Sequence, residues 1–407
     1  MSPFSPLSLP NGSTLPNRLA KAAMEENMAD EHHAPSDTLI RLYQRWAEGG
    51  AGLLITGNVM VDGHAMTGPG GVVLESAQHG ESFAAWSAAA RSRGAQVWMQ
   101  INHPGRQVFA AMKGEAWAPS AVALDIGKHS SLFAQPRAMT EAEIAEVIGR
   151  FVDTAMAAEE AGFTGVQIHA AHGYLISQFL SPLTNRRTDG WGGSLANRAR
   201  LLLEVVKAVR AKVSPGFCVG VKLNSADFQR GGFTENDARQ VLSWLNELPV
   251  DLVELSGGSY EAPAMQGRSA DGRTLAREAY FLEFAKDLAA VARMPVMTTG
   301  GIRRRAVAEQ VLASGVAMVG LATALATRPD LPAAWLAGRE LEVPVQAVTW
   351  KDKGLAGLAG MALVKRRLRA VAAGQGALRA YSPLFTLIFE QLRSKRLTTR
   401  YVQWAGR

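Results

Sequence analysis

Short apolar runs alternate with longer stretches of helical period along most of this chain, and the alternation repeats eight times. Residues 18–23, 52–56, 96–101, 165–169, 218–223, 251–255, 295–298 and 317–320 read as strands. Amphipathic helices are predicted over 37–49, 82–93, a stretch opening at Thr140, 195–212, 235–246, 277–292, 304–313 and 322–337. Thr140-Glu141-Ala142-Glu143 matches a capping box, which marks the start of the third of these helices. Eight strand–helix units over about 320 residues are what a closed (β/α)8 TIM barrel requires. A doubly wound open sheet more often has fewer strands and a G-x-G-x-x-G after the first, and no such motif follows residues 18–23.

In such barrels the reacting groups sit at the C-terminal ends of the strands. Those ends carry Ala23-Met24-Glu25, Gly57-Asn58, Gln100 with Asn102 and His103, and His169 with His172 and Tyr174. Then come Lys222 with Asn224, Ser256-Gly257-Gly258, Gly300-Gly301, and Gly320 to Thr323. One end of the barrel thus collects amide, imidazole, phenol and ammonium groups, and the other shows nothing comparable. The glycines after the last two strands suit a phosphate held by backbone N–H groups, or ordinary tight turns.

His169, His172 and Tyr174 can donate hydrogen bonds to one oxygen and supply one proton. Two other readings stay open: structural histidines, or a zinc pair whose third ligand is not evident at the neighbouring strand ends. Lys222 lies mid-strand among apolar residues, a costly place unless it meets an anion or serves as a Schiff-base nucleophile. Gln100 also needs partners there, and a planar heterocycle with alternating donors and acceptors would satisfy both.

Composition narrows the class. Of 407 residues, 47% are hydrophobic and 19% charged, which excludes a mainly disordered chain. The one cysteine, Cys218, excludes an internal disulfide, an all-cysteine metal site and a protein-held iron–sulfur cluster. No apolar run reaches membrane-spanning length and the first 18 residues lack signal-peptide features, so a cytoplasmic protein is expected. Trp98, Cys218, Met60 and Met318 are read as packing residues.

The net charge of +7 is unevenly placed. Residues 349–407 carry 12 Lys and Arg against 2 Asp and Glu, leaving 31 against 34 in residues 1–348. The chain therefore divides into a slightly acidic barrel, residues 1–340, and a basic helical extension, residues 349–407. No nucleic-acid motif is present in the body, so no nucleic-acid partner is expected. In the extension, Leu355, Leu358, Leu368 and Val371 follow helical spacing, and Ser382-Pro383 reads as N-cap and first residue of a helix over 384–393. It suits packing on the barrel or a second subunit, an anionic membrane surface, or an acidic ligand such as a CoA ester.

Four stretches carry a family resemblance. HAAHGYLISQFLSPLTNRRTDGWGGSLANRAR at 169–200 resembles the signature of the Old Yellow Enzyme family of FMN-dependent oxidoreductases. LPNRLAKAAM at 15–24, MQINHPGR at 99–106 and VGVKLNSADF at 219–228 resemble it too, in the family's order. The resemblance covers residues 3–338 and implies FMN across the barrel mouth. It implies that Ala22, Ala23, Met24 and Glu25 line the ring edge, with Gly57 beside it and Gln100 on the pyrimidine. Lys222 would face N1 and O2, while Gly300, Gly301, Ala322 and Thr323 hold the phosphate.

The implied reaction begins with reduction of FMN by NAD(P)H. His169 and His172 then bind the oxygen of a small-molecule enone, hydride passes from flavin N5 to the β-carbon, and Tyr174 protonates the α-carbon. Relatives often have Cys or Thr where this chain has Glu25, which either points inward or turns to solvent beside Glu26. Many use an arginine on the phosphate where this chain has Thr323, making Arg303, Arg304 or Arg305 the expected substitute. The missing cysteine-rich segment argues against the larger iron–sulfur dienoyl-CoA reductases. Segments 104–137 and 259–273 are expected to cover the substrate side. The competing readings are a flavoprotein acting on enoyl- or dienoyl-CoA esters, an electron-transfer module, and a metal-dependent barrel hydrolase on His169 and His172. A homo-oligomer is compatible with all of them.

Overall fold

The computed structural model describes residues 1–76, 78–264, 278–279, 281–344, 346–375 and 379–406. Eight parallel strands form the centre: β1 (Leu19–Lys21), β2 (Leu53–Ile55), β3 (Gln96–Asn102), β4 (Gly165–Ala170), β5 (Cys218–Asn224), β6 (Leu252–Ser256), β7 (Val296–Thr299) and β8 (Met318–Leu321). Each pairs with the next, and β8 pairs with β1, so the sheet closes on itself. This is the expected TIM barrel.

Around it run α1 (Asp37–Glu48), α2 (Gly80–Arg91), α3 (Glu141–Glu160), α4 (Leu195–Arg210), α5 (Glu235–Leu245), α6 (Leu282–Ala289) and α7 (Arg305–Ala313). The Thr140 capping box is formed: its side chain accepts from Glu143 N, and Glu143 accepts from Thr140 N at 2.8 Å. Residue 277, where the sixth helix was expected to begin, lies outside the described residues. The single helix expected over 322–337 is broken into α8 (Thr323–Thr327) and α9 (Leu331–Leu336). Pro329 disfavours helical geometry at Arg328, which adopts φ −133° and ψ 84°.

The N-terminal end of the barrel is sealed by a hairpin too short to show in the hydrophobic pattern. Leu7–Ser8 pairs antiparallel with Thr14–Leu15. Leu7, Leu9 and Leu15 pack against Trp98, Leu252, Met297 and Met318 inside the barrel. Trp98 fills the floor, and β4 and β5 make room with Gly165 and Gly220. A Cβ on either glycine would lie within 3 Å of the indole. Cys218 is buried in the same cluster, and burial pushes its thiol up to about 11.

The basic extension forms α10 (Lys353–Ala372) and α11 (Pro383–Ala405). Pro383 opens α11 as expected, but Ser382 makes no side-chain cap. The helix continues well past residue 393 because Leu397 and Tyr401 are buried, with the Tyr401 hydroxyl donating to Gly63 O at 2.9 Å. No helix among the described residues is long and apolar enough to cross a membrane.

Candidate active site

The upper half of the barrel interior is a connected polar network. Lys222 Nζ lies 2.8 Å from Glu254 Oε1 on the neighbouring strand, and both side chains are buried. Glu254 also accepts from Gln167 Nε2 at 2.8 Å and from Thr299 Oγ1 at 2.7 Å. Gln100 Nε2 donates to Gln167 Oε1 at 2.7 Å. The anion that a buried Lys222 requires is therefore Glu254, and the extra hydrogen bonds on its carboxylate are what make such a pair tolerable.

At the end of β4 the chain turns sharply, with His172 at φ 62° followed by Gly173 at φ 74°. The turn brings three rings together. His169 stands edge-on to His172 at 5.0 Å between centroids and to Tyr174 at 4.9 Å. His169 Nδ1 accepts the Ala171 N–H at 3.2 Å, which assigns its proton to Nε2 and makes that nitrogen a donor. His172 Nε2 lies 2.7 Å from Ser256 Oγ, and its backbone N–H donates to Asn224 Oδ1 at 3.1 Å.

Burial pushes both imidazoles well below the usual histidine range. The neighbouring His172 and Lys222 add to this at His169, and Lys222 adds at His172. Both rings are neutral at pH 7. Burial, with Tyr260 and Glu25 nearby, drives the Tyr174 phenol well above 10. Its hydroxyl lies 3.1 Å from that of Tyr260, a residue the sequence did not single out. The cluster is thus two neutral imidazoles beside a phenol that keeps its proton.

The β1 end contains the other surprise. Glu25 neither points wholly inward nor turns free to solvent: it accepts from Thr67 Oγ1 at 2.6 Å and lies 3.7 Å from Lys365 of α10. Glu26 is buried, paired with Lys21 at 3.1 Å and accepting from the Tyr43 hydroxyl at 2.6 Å. Glu26 and the Tyr43 oxygen both receive the Gly57 N–H, so this group fixes the backbone beside the site. Ala22 is buried, and Ala23 and Met24 are half-buried next to it.

Gly300 and Gly301 take φ 146° and 71°, which glycine adopts without strain. The helices that follow, α7 and α8, have no side-chain cap at Arg304 or Ala322, whereas α1, α3, α4 and α5 are capped by Ser or Thr. Side-chain caps are also missing at α2, α6, α9 and α11, so the uncapped ends of α7 and α8 are open to an anion without by themselves marking a site for one. The expected substitutes for a phosphate arginine are engaged elsewhere. Arg303 and Arg304 bond to Glu278 at 3.0 and 2.8 Å, and Arg305 to Glu309 at 2.7 Å. Glu278 is half-buried, so solvent screens these two pairs less than it would fully exposed ones.

The loop after β3, expected to cover the substrate side, reaches the end of β4, where Gln107 Nε2 donates to His172 O at 3.2 Å. Arg106 bonds to Glu261 at 2.6 Å and to the carbonyls of Val122 and Ala123, tying it to the loop after β6. Residues 265–273 of the second covering segment lie outside the described residues. Among the described residues, the histidines and carboxylates spaced to share an ion are Asp62, His64 and Glu75, not His169 and His172. Arg150 already sits 3.4 Å from Asp62 and 3.1 Å from Glu75.

The barrel carries an ammonium and a carboxamide at its centre, a His–His–Tyr cluster above them and two glycine-led, uncapped helix ends beyond its last strands, a donor set that fits FMN. It is a flavin oxidoreductase barrel. The chain belongs to the NADH:flavin oxidoreductase / NADH oxidase family, whose pattern matches residues 2–342. That membership makes FMN the cofactor and NAD(P)H the hydride donor. An NADH-dependent flavin oxidoreductase of Neonectria sp. (strain DH2) is 41% identical over 352 residues, 80% of this chain and 46% of its own length. One from Hypocrea jecorina (strain QM6a) is 38% identical over 349 residues, 80% of this chain and 87% of its own. The chain therefore spans less than half of the first relative. The fold is that of the old yellow enzyme homologue from Zymomonas mobilis: TM-score 0.73 at 24% identity, covering 88% of this chain and 99% of that one.

Proposed function

We propose that this chain is an FMN-dependent NAD(P)H oxidoreductase that reduces the activated C=C bond of α,β-unsaturated carbonyl compounds. The observation that carries the reading is the His169–His172–Tyr174 cluster, two neutral imidazoles beside a protonated phenol. When bound, FMN supplies the hydride relay between nicotinamide and substrate.

Ala22, Ala23, Met24, Glu25 and Gly57 would flank its ring, Gln100 and Lys222 would meet its pyrimidine side, and Gly300, Gly301, Ala322 and Thr323 would hold its phosphate. Lys222, though its charge is shared with Glu254, would place its ammonium N–H groups where reduction of the flavin builds negative charge. His169, through Nε2–H, and His172 donate to the substrate oxygen and stabilise the developing enolate. Tyr174 gives its proton to the α-carbon. Lys365 offsets the charge of Glu25, which supports hydride chemistry over a bare electron-transfer role.

The test separates the two half-reactions. Tyr174→Phe is expected to slow re-oxidation of the reduced protein by 2-cyclohexenone by about 10²–10⁴-fold, the usual worth of a positioned acid. Reduction by NADPH, followed by bleaching of the flavin bands, should stay within a few-fold. Equal loss in both steps would sink the proton-donor role. A yellow protein that NADPH bleaches and no enone re-colours would overturn the substrate class. Tyr260→Phe added to Tyr174→Phe removes the nearest alternative phenol and should abolish residual turnover.

A further inference from the structure

The first half of α11 carries a row of large apolar side chains that none of the described residues covers. Leu384, Phe385, Ile388, Phe389 and Leu392 fall on one side of the helix at spacings of three and four, and each is between 47% and 66% exposed. The opposite side is anchored and cannot be traded for this one. Thr386 receives Arg366 at 2.9 Å, and Glu390 pairs with Arg369 at 2.7 Å. Further along, Arg393 donates to Asn27 O, Arg400 to Ala29 O and Asp30 O, and Leu397 and Tyr401 are buried. The row faces outward because its helix is fixed along its whole length.

We propose that this face is the contact between two copies of the chain, paired antiparallel across a two-fold axis near Ile388 and Phe389. Size supports it. Five such side chains, each half to two-thirds exposed, offer about 500 Å² of apolar surface. That is the apolar centre of a standard interface, in which each partner buries about 800 Å². The pattern is self-complementary: about that axis the Leu384 end meets the Leu392 end, as a two-fold contact requires.

The extension is basic overall, but the placement of the charges along α11 favours a second copy over lipid. A helix lying on an anionic membrane needs cations along the borders of its apolar face. Here Gln391 and half-buried Leu387 border the row on one side, and Arg393 on the other is bonded to Asn27 O. The exposed cations of the helix, Lys395 and Arg396, lie beyond the row's C-terminal end. This inference concerns assembly and does not rest on the proposed substrate.

The experiment is sedimentation velocity on the full-length, flavin-loaded protein, with and without Phe385→Ser and Phe389→Ser together. A dimer that becomes monomeric in the double variant, with flavin content retained, is the expected result. Ile388→Cys provides a variant that changes the surface little and keeps the proposal testable if the serine pair loses its flavin. Cys218 is buried, so the new thiol is the one available for oxidation, and it should form a disulfide-linked dimer. Thr399→Cys, about 16 Å along the helix from the axis, should not. A wild-type monomer across a wide concentration range overturns the proposal. So does a dimer indifferent to the serine pair, and so does a monomer that floats with phosphatidylglycerol vesicles through these phenylalanines.

Discussion

The two ends of the barrel are made from the same strands and lined in opposite ways. Along the inner face of β3 the residues run Trp98, Gln100, Asn102, and along β6 they run Leu252, Glu254, Ser256. On β4 the sequence is Gly165, Gln167, His169, and on β5 Gly220, Lys222, Asn224. Because strand side chains alternate, these are steps of two along one face, and each step moves from apolar or glycine toward polar. The lower end is closed by Leu7, Leu9 and Leu15 on Trp98; the upper end keeps charge, amides and imidazoles. The fold thus separates the part that stores stability from the part that spends it on chemistry.

Lys222→Met should break that separation most severely. It leaves Glu254 buried without its counter-charge, at an expected loss of about 3–5 kcal/mol in urea unfolding. The same change should weaken FMN retention, measured by flavin released on gel filtration. An unchanged unfolding midpoint would mean that the Gln167 and Thr299 hydrogen bonds alone satisfy Glu254. Leu15→Ala tests the other end. It removes a fully buried side chain from the plug and should cost about 2–4 kcal/mol, with turnover per bound flavin unchanged. Activity lost per flavin would show that the floor also positions the site.

This contrast was partly legible in the sequence. All eight strands were, because each is an apolar run long enough to show a period, and their ends showed the imidazoles, Lys222 and Gln100. The plug was not: a strand of two residues has no period to detect. Glu254 and Gln167 were missed although their signal exists. Glu254 interrupts the apolar run DLVEL as Lys222 interrupts VGVKL, and adjacent strands in register put them side by side. Tyr260 and the Lys365–Glu25 contact could not be read at all, since they depend on how far loops and the extension fold back over the mouth.

Acid should attack the upper end. His103, buried just beyond β3, is held down to about 4 mainly by desolvation, against about 6.5 in an unfolded chain. A depressed histidine contributes stability that is full above pH ~6.5 and is lost as the pH falls toward 4. His169 and His172 are shifted in the same direction. Unfolding free energy should therefore fall between pH 7 and pH 5, by about 1–2 kcal/mol for His103, with His169 and His172 adding in the same direction. His103→Gln should flatten part of that slope, and a slope unchanged by the substitution would place the proton uptake elsewhere.

The smallest stability effect should come from the contact that joins the extension to the site. Lys365 and Glu25 are 25% and 32% exposed and 3.7 Å apart, so solvent screens them and Lys365→Ala should cost less than about 1 kcal/mol. Its electrostatic effect is separate from its stability. If Glu25 flanks the flavin as proposed, its carboxylate without Lys365 would oppose the charge that reduction builds there, so the FMN potential should fall. Glu25→Gln removes that charge and should raise the potential instead, and high salt should shrink both shifts. Redox titration of the three proteins decides it. Shifts of opposite sign would make the extension an electrostatic part of the site, and equal potentials would confine it to packing.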